Sequence, residues 1–239
     1  MATGHELVEL ARKHVGERYV NVLVPKNNPR WTGPWDCAEF ASWCVYQVTG
    51  QLYGCIDDRA DPATAEAYTG GWRNDAKAKG TIIAWDRAAS IEGAFVLRYP
   101  SAPGAMGHIA MCDGRGGTVE AHSTARGVVA DRVTGRRWDA GILVPGVTYD
   151  TAAPAVVVAP PASVVYRLTA PPMTGPKVKE IQERLQALGF NPGPVDSEFG
   201  PLTHAAVAAF QHVRSLVPDG EVGAVTAAAL GVDLAAPGR

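Results

Sequence analysis

The stretch that most constrains this chain is poorly suited to any core. From Thr151 to Val165 it reads TAAPAVVVAPPASVV, with no charge and three prolines. Proline fixes its own φ, lacks an N–H and pushes the preceding residue toward extended backbone. The prolines favour an extended, semi-rigid linker of polyproline character; a Val-rich edge strand is the alternative. The stretch separates residues 1–150 from a tail at 166–239, with the linker at 151–165. Each part must then bury a core of its own.

Composition permits this. Hydrophobic residues make up 46% of the 239 and charged residues 19%, which suits folded domains rather than a disordered chain. With 22 Lys+Arg against 24 Asp+Glu, no broad basic surface exists, which argues against nucleic acid as a principal partner. Four cysteines are too few for a disulfide scaffold. The longest apolar run, Ala155–Val165, is broken by Pro160 and Pro161 and is too short to span a bilayer, so no membrane insertion is expected. The opening residues Met1–Glu9 lack the basic and apolar regions of a secretory signal.

The tail repeats itself. Asp196-Ser197-Glu198-Phe199-Gly200-Pro201-Leu202-Thr203 returns 23 residues later as Asp219-Gly220-Glu221-Val222-Gly223-Ala224-Val225-Thr226. Both copies read Asp-x-x-apolar-Gly-x-x-Thr before an Ala-rich apolar run, with the Thr placed to cap a helix. Val178, Ile181, Leu185 and Leu188 recur at helical spacing before Gly189, predicting a helix over Lys177–Leu188. Two more follow at Thr203–Val213 and Thr226–Leu230, making a small all-α three-helix domain.

The first part reads as α+β. Helices are predicted near Glu6–His14 and over Cys37–Val48, the second stopped by Thr49-Gly50. Strands are predicted at Ala94–Leu97, Gly107–Cys112, Thr118–Ser123 and Gly141–Val144. Helices first and neighbouring strands later imply an antiparallel sheet.

Cys37 carries the chemistry. In Trp35-Asp36-Cys37-Ala38-Glu39-Phe40, Asp36 is a good N-cap and Glu39 three residues on suggests a capping box. Cys37 then sits in the first helical turn, where N–H groups and the helix dipole favour thiolate. Cys44, seven residues later, suits a buried core position instead. A thiol nucleophile needs a base. His5 and His14 belong to the first helix, and His204 and His212 to the tail, which leaves His108 and His122. The sequence Asp113-Gly114-Arg115-Gly116-Gly117 is a strong turn between two alternating segments. If Cys112 faces Thr118, the same register sets His108 opposite His122, with Cβ atoms about 5 Å apart. His108 would then take the Cys37 proton and His122 would hold the His108 ring. Glu120 projects from the same face as His122 and can fill that third role instead. A metal site is disfavoured, because no paired C-x-x-C or H-E-x-x-H element is present.

These residues resemble a known family. Asp36-Cys37-Ala38-Glu39-Phe40 opening a helix, Gly107-His108-Ile109 opening a strand and His122 one strand later are similar to the NlpC-type cysteine peptidases of cell-wall metabolism, over roughly residues 5–146. The resemblance implies a papain-like α+β domain with Cys37 as nucleophile, His108 as base, His122 as orienting residue and Tyr19 helping the oxyanion site. Trp35, Asp36 and Glu120 are the expected substrate contacts, with Trp31 and Trp72 as further cleft walls. There are departures: the family's Ser-Gly after the nucleophile is Ala38-Glu39, its Gly-Asp before a core strand is Gly93-Ala94, and the stretch Asp57–Glu92 is long. The tail resembles the common peptidoglycan-binding helical module, through Val178-x-x-Ile181-Gln182-x-x-Leu185, Leu188-Gly189-Phe190, the two repeats and Ala206-Val207-x-x-Phe210-Gln211.

Together the resemblances imply a monomeric peptidoglycan hydrolase, with bacterial peptidoglycan as partner and neither metal nor cofactor. The expected cut is a stem-peptide bond of D-glutamyl–diaminopimelate type. An N-acetylmuramoyl-L-alanine amidase with the same thiol machinery, or a non-catalytic wall-binding protein, are the alternatives. Without a signal peptide, the expected setting is synthesis in the cytoplasm and release to the wall, as for a bacteriophage endolysin or a toxin delivered by a secretion machine.

Overall fold

The computed structural model describes residues 2–100, 106–151 and 164–234. They fall into two compact units, the second holding the tail helices. Residues 152–163, most of the predicted linker, lie outside the described residues.

The first unit runs β1 (Ala2–Thr3), α1 (Gly4–Arg12), α2 (Cys37–Thr49), α3 (Thr69–Ala78), β2 (Thr81–Ile83), α4 (Trp85–Ala88), β3 (Glu92–Arg98), β4 (His108–Asp113), β5 (Gly117–Ser123), β6 (Gly127–Arg132), β7 (Ala140–Leu143) and β8 (Val147–Thr148). Six strands form one antiparallel sheet in the order β2-β7-β3-β4-β5-β6, and β1 pairs with β8 in parallel. The α+β expectation therefore holds. The predicted strands appear within a residue or two, and α2 begins at Cys37 as predicted.

Each face of the sheet has its own core. Phe95, Leu97, Ile109, Met111, Val119 and Ala121 pack with Leu7 and Val8 of α1 and Phe40, Trp43 and Cys44 of α2. On the other face, Ala94, Val96, Ala110 and Cys112 pack with Ala88, Ala89, Ile91, Val133 and Trp138. Burial on both faces explains why β3 to β5 are buried almost throughout, rather than alternating with solvent. Each fully buried large apolar side chain contributes roughly 1.5–3 kcal/mol.

The helix starts differ in their caps. Thr3 and Glu6 make a reciprocal capping box on α1. On α2 only half of the predicted box exists: Asp36 accepts from the Glu39 N–H at 2.8 Å, while the Glu39 side chain turns inward. Gly50 ends α2 in the left-handed conformation at φ 70°. Gly93, at φ +80° beside the β3 bulge, admits no side chain, since a Cβ there would stand 2.3 Å from the Cα of Gly4. The long stretch after Asp57 is occupied by α3, β2 and α4, which the sequence patterns did not announce; β6 was likewise missed.

The second unit packs α5 (Pro176–Ala187), α6 (Pro201–Val213) and α7 (Ala224–Leu230) around Val178, Ile181, Leu185, Phe199, Val207, Phe210 and Leu230. The repeated motifs do not cap through their threonines. Gly200 and Gly223 occupy the N-cap positions, with no side-chain cap. Thr203 and Thr226 instead meet buried glutamines: Thr203 Oγ1 lies 3.1 Å from Gln182 Nε2, and Thr226 Oγ1 lies 3.0 Å from Gln211 Nε2. The same two amides bind the rest of each loop. Gln182 accepts from Ser197 N and donates to Asp196; Gln211 accepts from Gly220 N and donates to Asp219.

Candidate active site

Trp35 organises the approach to Cys37. Its ring is fully buried among His14, Phe40 and Trp43, with centroids 5.0 to 5.2 Å apart along the chain of ring pairs His14–Trp35, Trp35–Phe40, Trp35–Trp43 and His14–Trp43. Its indole N–H donates to Glu17, which also meets His14 Nδ1. The backbone of Trp35 is bonded to Arg18 and Val20, in a bridge that aligns Tyr19 with Trp35. Trp35 and Trp72 are both fully buried, so neither forms a cleft wall. Trp35 is a positioning residue: it brings Tyr19 beside the start of α2. The Tyr19 hydroxyl and the Cys37 thiol act on each other's charge. Burial pushes that phenol well above its usual range, so it remains a neutral donor.

Cys37 is 9% exposed. The backbone N–H of Ile109, the residue that follows His108 at the start of β4, favours the anionic form of its sulfur. Cys37 and Ile109 lie in one buried cluster, which packs the head of α2 against the strand bearing the candidate base. The expected resting thiolate is not what the surroundings favour. Burial and then the neighbouring Asp36 carboxylate push the thiol up to about 12, against the Ile109 N–H and the charge of Arg98, which pull it down. Cys37 rests as a thiol at neutral pH. Asp36 is itself raised to about 7, chiefly by burial, and its carboxylate is occupied in capping α2.

The hairpin register is the predicted one: Cys112 pairs with Thr118 and Met111 with Val119. Beyond them, the His108 and His122 rings stand edge to face at 6.2 Å. Of the two candidates for the third role, Glu120 is the one bonded to His108. His108 Nε2 meets Glu120 Oε2 at 2.5 Å, and the other Glu120 oxygen accepts from Thr118 Oγ1 at 2.5 Å. His122 is engaged elsewhere, with Nδ1 3.0 Å from Ser123 Oγ and Nε2 3.0 Å from Arg126 Nη1. Glu120 is 1% exposed and bonded to His108, so it is not a substrate contact.

Sequence reasoning missed three neighbours. Trp138 lies against the His108 ring, at 5.9 Å between centroids. Arg98, 2% exposed, pairs with His108 across β3 and β4 and lends positive charge to the site. Lys26, fully buried, donates to Glu39, whose carboxylate also accepts from Val24 N at 3.0 Å and Ala67 N at 2.7 Å. Glu39 thus clamps two loops beside the nucleophile helix. Only the strand pairing of Arg98 carries a sequence signal; Trp138 and Lys26 arrive by long-range packing. All four cysteines are buried outside disulfides, and among the described residues no group of three His, Cys, Asp or Glu is placed to hold a metal ion. Among the described residues no helix is long and apolar enough to cross a membrane.

Residues 174–230 match a family model described as "Putative peptidoglycan binding domain". The curated N-acetylmuramoyl-L-alanine amidase CwlM of Mycobacterium tuberculosis is 40% identical over 65 residues, or 27% of this chain. The chain spans 16% of the length of that relative. Similar solved structures include the NlpC/p60 domain of the peptidoglycan hydrolase SagA, at 22% identity and TM-score 0.41, covering 59% of this chain and 99% of that one. The P60 domain of the M. avium subspecies paratuberculosis antigen MAP1204 is 18% identical at TM-score 0.40, covering 58% of this chain and 91% of that one. The family match locates a peptidoglycan-binding type of domain in the C-terminal unit.

Proposed function

We propose that the protein is a peptidoglycan hydrolase whose first unit cleaves a stem-peptide bond with Cys37, while the second unit holds the polymer. The observation that carries this reading is the packing of Cys37, at the head of α2, with Ile109 beside His108, with Tyr19 against the same cluster. It joins a thiol at a helix start, a neighbouring imidazole and a neutral donor. Acyl transfer needs those three parts.

Because the thiol rests protonated, deprotonation accompanies attack. The Cys37 proton passes to His108 as the sulfur bonds to the scissile carbonyl carbon. The Cys37 N–H and the Tyr19 hydroxyl receive the developing oxyanion. His108 then gives the proton to the leaving amine as the C–N bond breaks. Water, deprotonated by His108, attacks the thioester and frees the thiol and the new carboxylate. The bond favoured is the D-glutamyl–diaminopimelate type, and the site of action is the bacterial wall. The family match at residues 174–230 supports the wall polymer as substrate, and a second contact there raises the effective concentration of the site on it.

Digestion of purified wall, with mass spectrometry of the new termini, tests this. Free diaminopimelate amines are expected from wild type and none from Cys37→Ala. Release of intact stem peptides at the muramoyl end would instead identify an amidase. Equal lysis by Cys37→Ala would remove the thiol mechanism.

A further inference from the structure

We propose that Arg73, resting on the ring of Tyr99, is a specificity-determining residue that takes a free carboxylate of the stem peptide beside the scissile bond. The inference deepens the reading of the first unit as a stem-peptide hydrolase and rests on it.

α3 brings the cation to the strand of the candidate base. Its first turn abuts the residue before His108: a Cβ on Gly107 would stand 2.5 Å from Thr69 Oγ1. Arg73 comes four residues after Thr69, so the two share one face of α3. The guanidinium carbon of Arg73 stands over the Tyr99 ring, 4.5 Å from its centroid. Tyr99 directly follows Arg98, the β3 residue that pairs with His108. Its half-buried ring packs against the cluster that holds Cys37 and Ile109. Two bonds stiffen that position: Tyr99 N donates to Asp139 Oδ2 at 2.6 Å, and Asp139 N donates to Leu97 O at 2.9 Å. A guanidinium stacked on a fixed aromatic face is ordered before any ligand arrives.

The chemistry follows from how Arg73 is left. It is exposed, and among the described residues no carboxylate or carbonyl bonds to its guanidinium. The acids around it are engaged with backbone: Asp75 accepts from Gly54 N, and Asp139 from Tyr99 N. A guanidinium only donates, and its planar fork fits a carboxylate through two parallel bonds. The proposed substrate supplies that partner. Glutamate and diaminopimelate each carry two carboxyl groups, of which a chain uses one, so an amide between them is flanked by free carboxylates on both sides. Arg73 would take one of the two. Conversion of that group to a carboxamide removes the charge and replaces an acceptor with a donor, which the fork cannot use.

Soluble glutamyl–diaminopimelate peptides test the assignment on the full-length protein, with both carboxylates free or with either one amidated. For wild type, amidation of the recognised carboxylate is expected to raise KM about tenfold, with kcat within about twofold; the position at which this happens identifies the partner. Arg73→Gln is expected to raise KM on the free peptide by the same factor and to lose the distinction between free and amidated forms. Its unchanged kcat reports an intact fold. Arg73→Lys keeps the charge without the fork and should recover part of the affinity. Calorimetry on Cys37→Ala, with and without Arg73→Gln, should return the same ratio in Kd, a readout that needs no turnover. Equal KM for wild type and Arg73→Gln on the free peptide overturns the inference. So does a preference for the free peptide that survives in Arg73→Gln, or a loss confined to kcat, which marks a structural role on Tyr99. Full turnover by Cys37→Ala would instead remove the proposed function, while the KM comparison would still decide the role of Arg73.

Discussion

The two units hold their buried polar groups in opposite ways. In the second, each loop is gathered by one glutamine on the preceding helix, and the two copies share three partners in register: Gln182 with Asp196, Ser197 and Thr203, then Gln211 with Asp219, Gly220 and Thr226. In the first, a buried ion pair joins residues 13 apart in sequence, and the imidazole of one strand is held by a carboxylate on the next. A neutral amide satisfies a loop without introducing charge. A buried charge must find its partner or destabilise the fold. The second unit gathers each loop on a neutral amide, and the first sets buried carboxylates against a lysine and an imidazole.

The largest break in this contrast is Glu39→Ala. It leaves Lys26 buried without its counterion and frees the Val24 and Ala67 amides, and about 3–5 kcal/mol is expected to be lost from the first unit. Urea unfolding should show the transition of the first unit moving alone. Replacing both partners, as Lys26→Met with Glu39→Leu, should recover most of the loss. Gln182→Ala acts on the other side of the comparison. It strands the Ser197 N–H and takes the donor from the Pro194 and Glu198 carbonyls, with about 1–3 kcal/mol expected from the second unit. Wall sedimentation should weaken while turnover of a small soluble peptide persists.

Asp36→Asn sharpens the contrast more gently. Asn caps a helix as well as Asp does. The folded-state pKa of Asp36 is raised, so the stability it contributes is complete below its unfolded value near 4 and is lost as pH rises through about 7. Stability measured from pH 4 to pH 8 should therefore fall more in wild type than in Asp36→Asn. Removing the carboxylate beside Cys37 should also speed iodoacetamide alkylation a few-fold at pH 8.

Much of this architecture was legible because it is local. The Gly-rich turn after Asp113 fixed the β4–β5 register, and Asp36 with Gly50 bounded α2 within a residue. What was illegible depends on where side chains go after the chain has folded. Glu39 has the spacing of a capping residue, and only Lys26, on a distant loop, draws it inward. Trp35 looks like a cleft wall until three aromatic rings enclose it. The register could bring His122 to His108 but could not tell that Arg126 would claim its nitrogen first. The helix start suggested a thiolate at Cys37, and the depth of its burial reversed that sign.

The most direct test of the account follows the sulfur itself. Wild-type protein is mixed with a stem-peptide ester or amide, quenched in acid within milliseconds and digested for mass spectrometry. An acyl mass on the peptide bearing Cys37, decaying as product appears, is the expected result. Product formed with that peptide unmodified throughout, and formed equally fast by Cys37→Ala, would contradict it.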